Sequence, residues 1–433
     1  MNPFTAIQVT FTLAPWIAKG LQDGTLQRVG GIIVDAGTKR VVAWLREFIS
    51  DPSQVPATNA FSAVLGNLIP GANLVGTVVN AAVTGKGFAD VNKRLGGIAQ
   101  QVGNIQQGLQ QTQGILQVAS AVSVLNLGVS VMGFAVIAHR IKELEQSLQQ
   151  AQEILNKVNR KIDLGFYANF RAGIDLAVNA FTMTQPETRK SMAIQAINRF
   201  LEAEHIYTDY TDAELEQKSQ IVDEYLLTLS LAYLAEARCY LELEEIDTAR
   251  RRLEEGSTVL RSRIQRYVDI LLTSNPAAYL HPEFKDKIDL TRLTRIYQWI
   301  DPTLNENAVF QMQRENLVNF VQDSSQWLKS LPPAILDRSE IKFGLFGRNP
   351  TPLTGRFEKE AFKRLPQTLE LMESVIEINQ RFEVYQAEIQ AISKLGMNFQ
   401  KWQQLVPAKE VKPDSVGLMY IIPSQPVDVG FSN

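Results

Sequence analysis

The side chains that most often perform chemistry are few and scattered in this sequence. Its three histidines, His139, His205 and His281, lie far apart, and Cys239 is its single cysteine. The nearest approach to a metal motif is Glu202-Ala203-Glu204-His205, because a Glu and a His three residues apart share one helix face, as in di-iron bundles. Such a site needs a second Glu-x-x-His and two further glutamates on facing helices, and the sequence has no second copy. We therefore predict an exposed polar helix face here.

Other catalytic signatures are missing from the sequence. It contains no HExxH, CxxC, GxSxG or GxxxxGK[ST] pattern, and Gly85-Lys86-Gly87 lacks the hydroxyl residue and the upstream glycine of a phosphate loop. Cys239 lies in the helical pattern AEARCYLEL and is predicted to be a small buried apolar residue. The sequence therefore predicts neither enzymatic activity nor a cofactor, and no metal site.

The most unusual feature is a stretch of 45 residues, Leu95 to His139, without one formally charged side chain. Its last part, Ile115 to Ala138, would form a helix about 36 Å long, enough to cross a hydrocarbon core of roughly 30 Å. Candidate membrane-inserting residues along it are Ile115, Leu116, Val122, Leu125, Val129, Met132, Phe134 and Ile137. The helix is predicted either to stay buried in a helical bundle or to enter a bilayer.

Polar residues within this helix argue against a lone span. They spread over about half of the helical circumference, so some would face lipid if the helix crossed a bilayer alone. We expect them to face another helix or to line a pore: Gln117, Ser120, Ser123, Asn126 and Ser130. A second uncharged run, Pro52 to Gly85, is divided by Pro70-Gly71 into two arms too short to span a bilayer, which favours a helix-turn-helix or re-entrant hairpin.

A heptad pattern follows directly after the uncharged stretch. Apolar residues recur at three- and four-residue spacing with charged residues around them, as in a coiled coil. The predicted seam comprises Ile141, Leu144, Leu148, Leu155, Val158 and Ile162.

The remaining patterns predict a mainly α protein, an elongated helical bundle with a small β element from the chain termini. Residues 4–13 alternate as a strand, and Val416 to Ile422 is a further strand. Ile32 to Val34 and Arg40 to Trp44 favour a hairpin, with a helix that begins in Val41 to Phe48 as the alternative. The predicted units are residues 1–51 (small β/α element), 52–139 (hydrophobic, membrane-inserting zone), 140–330 (helical bundle), 331–356 (Pro/Gly-rich loop) and 357–433 (long helix and strand).

One helical pair, residues 231–260, resembles a tetratricopeptide unit. Tyr233, Ala237, Tyr240, Ala249, Leu253 and Gly256 stand at the small and aromatic spacings of that motif. Because neighbouring copies at a 34-residue period are missing, we predict a helical hairpin inside a larger bundle rather than a peptide-binding array.

Composition limits the partners. With 45% hydrophobic and 21% charged residues and a net charge of −3, the chain is neither a multi-spanning membrane protein nor a nucleic-acid binder, since no Lys/Arg-rich run with interleaved aromatics occurs. The N-terminus has no basic region before its apolar part, so we expect cytoplasmic synthesis and membrane association only in an active form.

The uncharged zone and the heptad helix leading from it resemble the α-helical pore-forming toxins. In that class, water-soluble monomers hide a hydrophobic segment and insert it as they oligomerise. The resemblance rests on Ala60 to Val83, Ile115 to Ala138 and Arg140 to Asp163. It implies a lipid membrane as partner and a homo-oligomer on insertion. The alternative is a soluble scaffold or adaptor that binds a partner protein through the tetratricopeptide-like hairpin or the Phe343 to Phe346 loop.

Overall fold

The chain is described by a computed structural model over residues 7–49, 164–284, 288–322, 324–336, 353–407 and 416–430. This part of the protein is mainly α with one small antiparallel sheet, as the sequence predicts. The elements below are numbered in chain order within these ranges.

The two ends of the chain form the sheet together. Its strands are β1 (Ile7–Thr10), β2 (Leu26–Val29), β3 (Ile32–Asp35), β4 (Val41–Ile49) and β5 (Val416–Pro423), and one short helix, α1 (Pro15–Asp23), connects β1 to β2. All neighbours are antiparallel in the order β1-β5-β4-β3-β2, so the C-terminal strand lies between two N-terminal ones. The predicted terminal sheet is confirmed, whereas β2 was not predicted.

Short turns with suitable residues explain the N-terminal hairpins. The β2–β3 connection is Gly30-Gly31, and Gly30 adopts φ +50°, which a two-residue hairpin turn requires and glycine permits. In the β3–β4 turn, the Asp35 carboxylate accepts hydrogen bonds from the backbone N–H groups of Gly37 (3.1 Å) and Thr38 (2.7 Å). Such Asx turns direct the chain back on itself.

The helical body follows the sheet strands in sequence. Its helices are α2 (Leu164–Thr182), α3 (Pro186–Glu216), α4 (Val222–Glu242), α5 (Ile246–Leu272), α6 (Leu290–Ile300), α7 (Glu306–Gln322), α8 (Ser324–Ser330), α9 (Leu353–Lys394) and α10 (Phe399–Gln403), with 3-10 turns at Pro276–Leu280 and Pro282–Phe284. Helices α2 to α5 pack as successive neighbours, and the long α9 packs along α5 and reaches β2.

Helix α4 lies at the centre of the body. Its sequence is apolar on nearly every side, and almost all of its residues are buried. A helix that is hydrophobic around its whole circumference must be surrounded by protein. Here α3 and α5 enclose it.

The sheet is buried on both faces. Ile32, Val34, Val41 and Trp44 face the helical body and belong to its main core. Ile33, Val42 and Leu45 point the other way, towards a smaller core closed by Ile17 of α1. The alternation of side chains along a strand thus joins the sheet to the body on one face.

Several predicted boundaries need correction. The predicted helical unit 140–330 ends in two helices, α7 and α8. The single long helix predicted within 357–433 is α9 followed by the short α10. Helix α9 also begins at Leu353, inside the loop predicted to extend to residue 356.

Candidate functional site

The membrane-inserting, pore-lining and coiled-coil residues predicted from the sequence lie outside the described residues. They are Ile115, Leu116, Gln117, Ser120, Val122, Ser123, Leu125, Asn126, Val129, Ser130, Met132, Phe134, Ile137, Ile141, Leu144, Leu148, Leu155, Val158 and Ile162. The structure does show the two elements that flank these residues in the sequence, β4 and α2. The segment 50–163 connects β4 to α2 in the sequence.

An ionic contact fastens β4 to the C-terminal helices near the last residue of β4, Ile49. Arg46 is buried, and its guanidinium donates to the carbonyl of Trp402 (2.8 Å) and to the carboxylate of Glu388 (3.5 Å). The same carboxylate oxygen accepts from the Trp402 indole N–H at 2.5 Å. Burial lowers the pKa of Arg46 and the negative charge of Glu388 opposes this effect. We call Arg46, Glu388 and Trp402 the β4 clamp.

A second arginine fastens α10 from the opposite side. Arg238 of α4 donates to the side-chain carbonyl of Gln403 at 2.8 Å and is ion-paired with Glu242. Its guanidinium also lies 4.7 Å from the ring centroid of Phe399, a distance suited to a cation–π contact. The short helix α10 is therefore tied both to β4 and to the centre of the body.

Helix α9 anchors the other edge of the sheet through a third ionic cluster. Glu377 accepts hydrogen bonds from Arg28 of β2 (2.7 Å) and from Arg381 (2.8 Å). Burial alone would raise the pKa of Glu377, but the two arginines outweigh it and hold this pKa below its ordinary value. Glu377 therefore stays ionised, and the sheet is joined to α9 at two separate points.

The most densely charged cluster joins α3, α4 and α5. Arg252 of α5 pairs with Glu204 of α3, with Glu236 of α4 (2.6 Å) and with Glu255. Burial, and next the neighbouring Glu236, raises the pKa of Glu204 to about 10 against the attraction of Arg252. Burial likewise raises the pKa of Glu236 against the effect of Arg252. Burial therefore favours the neutral forms of both carboxyl groups, and the Arg252 guanidinium favours their charged forms.

The residues of the candidate metal motif, Glu202 to His205, lie in two different environments, one exposed and one buried. His205 is exposed, and Glu202 pairs with Arg199 at the helix surface (2.9 Å), as predicted. Glu204, between them, points inward to Arg252, which the sequence analysis did not predict. In the described part of the chain, no group of three or more His, Cys, Asp or Glu side chains is arranged to hold a metal ion.

The other candidate side chains that the structure describes, His281 and Cys239, pack within the fold. His281 packs 4.8 Å from the ring of Phe362, measured between ring centroids, and its Nδ1 accepts from the backbone N–H of Glu283. Cys239 is buried, as predicted, and burial raises the pKa of its thiol well above the ordinary value. His139 lies outside the described residues.

The tetratricopeptide-like pair is α4 and α5, a helical hairpin within the bundle as predicted. Gly256 lets the helices approach closely, since a Cβ there would lie 2.7 Å from Cγ of Tyr233. Asn379 of α9 donates to the carbonyl of Ser257 at 3.1 Å, and Gln386 donates to that of Leu253 at 3.4 Å. Helix α9 thus covers a face of the hairpin that a bound peptide would have to occupy.

Comparison with known proteins gives no relative: no family model, curated protein or solved structure matches this chain. Among the helices of the described ranges, none is both long enough and apolar enough to cross a membrane.

Proposed function

We propose that this chain is a non-enzymatic, membrane-inserting protein of the pore-forming type. In this proposal the hydrophobic zone, residues 52–139, is hidden while the protein is in water, and its uncharged helix enters a bilayer as the chain oligomerises. The body formed by the sheet and α2 to α10 remains folded and carries the zone to the membrane.

The observation that carries the proposal is the placement of the uncharged stretch. All of Leu95 to His139 belongs to one segment, 50–163, whose two ends join separate elements of the body. At one end, β4 pairs with β3 and β5 and is fastened by the β4 clamp. At the other end, α2 packs against α3. Both attachments consist of contacts within the described residues, so they would persist if the zone changed its surroundings.

The charge distribution supports the same division of roles. Buried arginine–carboxylate clusters fasten β2, β4, α3, α4, α5 and α9 to one another. Buried ionic groups that lose a partner cost several kcal/mol, which makes these contacts unsuited to rearrangement in lipid. The stretch Leu95 to His139 has no formally charged side chain, so its transfer to hydrocarbon has no comparable cost.

Dye leakage from liposomes tests the proposal. Leu125→Lys and Val129→Lys each place a charge near the middle of the candidate span, which costs about 2.5 to 3.5 kcal/mol of insertion. We expect both variants to remain folded and to release far less dye than the parent protein. Ile194→Lys is the matched control, because Ile194 of α3 is exposed and its substitution adds the same charge to the body surface.

Two results would contradict the proposal. If the Leu125 and Val129 variants leak as strongly as the Ile194 variant, this segment does not insert. If they fail to fold while Ile194→Lys folds normally, the segment is a permanently buried core.

A soluble adaptor is the second candidate, and the outer surface of α7 favours it. Phe310, Leu317 and Val318 are exposed apolar residues within about one third of the circumference of this helix, and Met312 is exposed on the opposite side. An exposed apolar patch often marks a protein contact. The Phe343 to Phe346 loop, the other contact predicted from the sequence, lies outside the described residues. An adaptor would leave liposomes intact with or without the Leu125 substitution.

A further inference from the structure

The first turn of the central helix contains two fully buried acidic residues. Asp223 and Glu224 are the second and third residues of α4, and both side chains have no exposed surface. No donor from another element of the described chain reaches their four carboxylate oxygens, and only the backbone N–H groups of Asp223 and Glu224 themselves act on the Asp223 carboxyl, where they oppose the effect of burial on its pKa. We call these two residues the α4 acid pair.

A third polar group points to the same place from the neighbouring helix. Tyr267 of α5 is fully buried, its hydroxyl has no hydrogen-bond partner, and it is electrostatically coupled to both carboxyl groups. Tyr279, which lies next to Tyr267, instead donates its hydroxyl to the carbonyl of Leu271 at 2.6 Å. The acid pair and Tyr267 are therefore a group of unsatisfied polar atoms contributed by two helices.

The surroundings offer no positive side chain to balance the pair. Asp223 and Glu224 act on each other, and Tyr267 faces them from α5. From α2, α3 and α9, no titratable side chain of the described ranges acts on either carboxyl group, and no Lys or Arg of these ranges does so. An isolated ionised carboxylate in such surroundings is very costly, so the pair must be neutralised.

We propose that the α4 acid pair binds protons and serves as a pH-dependent lock on the packing of α4 against α3 and α5. Neutral carboxyl groups keep this packing, and loss of a proton places an unbalanced charge at the centre of the body. A proton fits the site better than a metal cation, because no third His, Cys, Asp or Glu of the described residues joins the two carboxyl groups. The N–H groups of the first helical turn favour the charged form, but burial outweighs them. This inference is independent of the proposed membrane activity.

The direction of the pH effect follows from burial. Burial raises the pKa of Asp223 to about 7 and, with the repulsion of Asp223, raises the pKa of Glu224 well above its ordinary value. A raised folded-state pKa means that the stability contribution is complete below the unfolded-state value and is lost as the pH rises through the folded-state value. For Asp223, the stability contribution is therefore lost as the pH rises through about 7.

Urea unfolding of the full chain at pH 5 and pH 8.5 tests this lock. The double variant Asp223→Asn with Glu224→Gln replaces both acids by amides that imitate the neutral carboxyl groups. Between pH 5 and pH 8.5, we expect the folding equilibrium constant of the parent to decrease at least a hundredfold more than that of the double variant. Glu187→Gln is the matched control, since Glu187 is also the second residue of its helix, α3, but is exposed. It should keep the full pH dependence of the parent.

A double variant with the same pH dependence as the parent would overturn the proposal. Stabilisation of the parent by divalent cations, without stabilisation of the double variant, would also overturn it, because a metal ion would then neutralise the pair. If the double variant does not fold, infrared spectroscopy tests the proposal instead, by comparing the band of protonated carboxyl groups in the parent and in the single variant Glu224→Gln. The band of protonated carboxyl groups should be stronger in the parent at pH 5 and weaken at pH 8.5. An identical band in both proteins would contradict the lock.

Discussion

Replacing Glu388 by Gln should release the β4 clamp with almost no change of shape. The amide keeps an acceptor oxygen for the Trp402 indole, which now donates to Glu388 at 2.5 Å. What it removes is the negative charge opposite Arg46. The substitution therefore isolates the electrostatic part of the contact that fastens β4 beside the start of segment 50–163.

The expected loss follows from the burial of the partner that remains. The Arg46 side chain is only 7% exposed and that of Glu388 2% exposed, so the guanidinium would stay buried without a counter-charge. Breaking a buried pair in this way typically costs 3 to 5 kcal/mol. Arg46 would keep its hydrogen bond to the Trp402 carbonyl and its contact with the Trp402 ring. We therefore expect the lower end, about 3 kcal/mol, or roughly a hundredfold in the unfolding equilibrium.

Urea denaturation at pH 7, followed by tryptophan fluorescence, measures this loss. Trp44 and Trp402 pack edge to face with ring centroids 5.5 Å apart, so the signal reports on the clamp itself. Glu202→Gln is the control. It removes a carboxylate from a pair with Arg199 whose side chains are 49% and 42% exposed, and such pairs contribute at most about 1 kcal/mol.

Adding Arg46→Met to Glu388→Gln should recover part of the stability, because the unbalanced charge is then removed as well. A Glu388→Gln variant within about 0.5 kcal/mol of the parent would refute the assigned role of the clamp.

Two further substitutions test packing inside and outside the body. Gly256→Ala should destabilise by about 1 kcal/mol on thermal or urea unfolding, because overpacking against Tyr233 costs roughly 1 to 3 kcal/mol and the gain in helix propensity is only about 1 kcal/mol. Gly355→Ala in α9 is its control, since a Cβ there meets no atom within 4 Å, and a stabilised Gly256→Ala variant would contradict the tight contact. Converting both Leu148 and Leu155 to Asp should lower the melting temperature or abolish oligomers on size-exclusion chromatography, because burial of each leucine contributes roughly 1.5 to 3 kcal/mol. Unchanged stability and size together would place the heptad seam in solvent.

Local patterns predicted much of the architecture. Alternation in residues 4–13, the Asp35-to-Thr38 turn and the C-terminal run Val416 to Ile422 predicted strands, the first of which is observed over Ile7–Thr10. Strand patterns at both ends of the chain predicted that the two ends would meet in one sheet. The short β2 was missed because its four residues, Leu26–Val29, give too little alternation to recognise. The helical boundaries shifted where a break lay inside one continuous apolar pattern, as between α9 and α10.

The buried charges could not be predicted in the same way. The sequence predicts an exposed helix face for Glu204, which is wrong, and no local pattern marks Arg46 or Glu388 as buried. Charged side chains are usually exposed, and the partners of these three residues lie far away in sequence. A signal was available for Asp223 and Glu224, since α4 has apolar residues on every side and therefore leaves its acids no solvent-facing surface. The pairing partners themselves depend on the tertiary packing of α9 and α5, which no local pattern contains.

Single-cysteine labelling tests the central claim, membrane insertion of the uncharged helix, most directly. In a chain with Cys239→Ala, cysteine is introduced at Ser123 or Asn126 on the polar stripe, or at Val122 or Val129 on the apolar side. An amide left unpaired in hydrocarbon costs several kcal/mol, so the stripe must face water or another helix. We predict that Ser123→Cys and Asn126→Cys are protected from a water-soluble thiol reagent in the free protein and become reactive in liposomes, whereas the valine positions come to face lipid. Equal protection of all four positions in liposomes would contradict insertion as a pore.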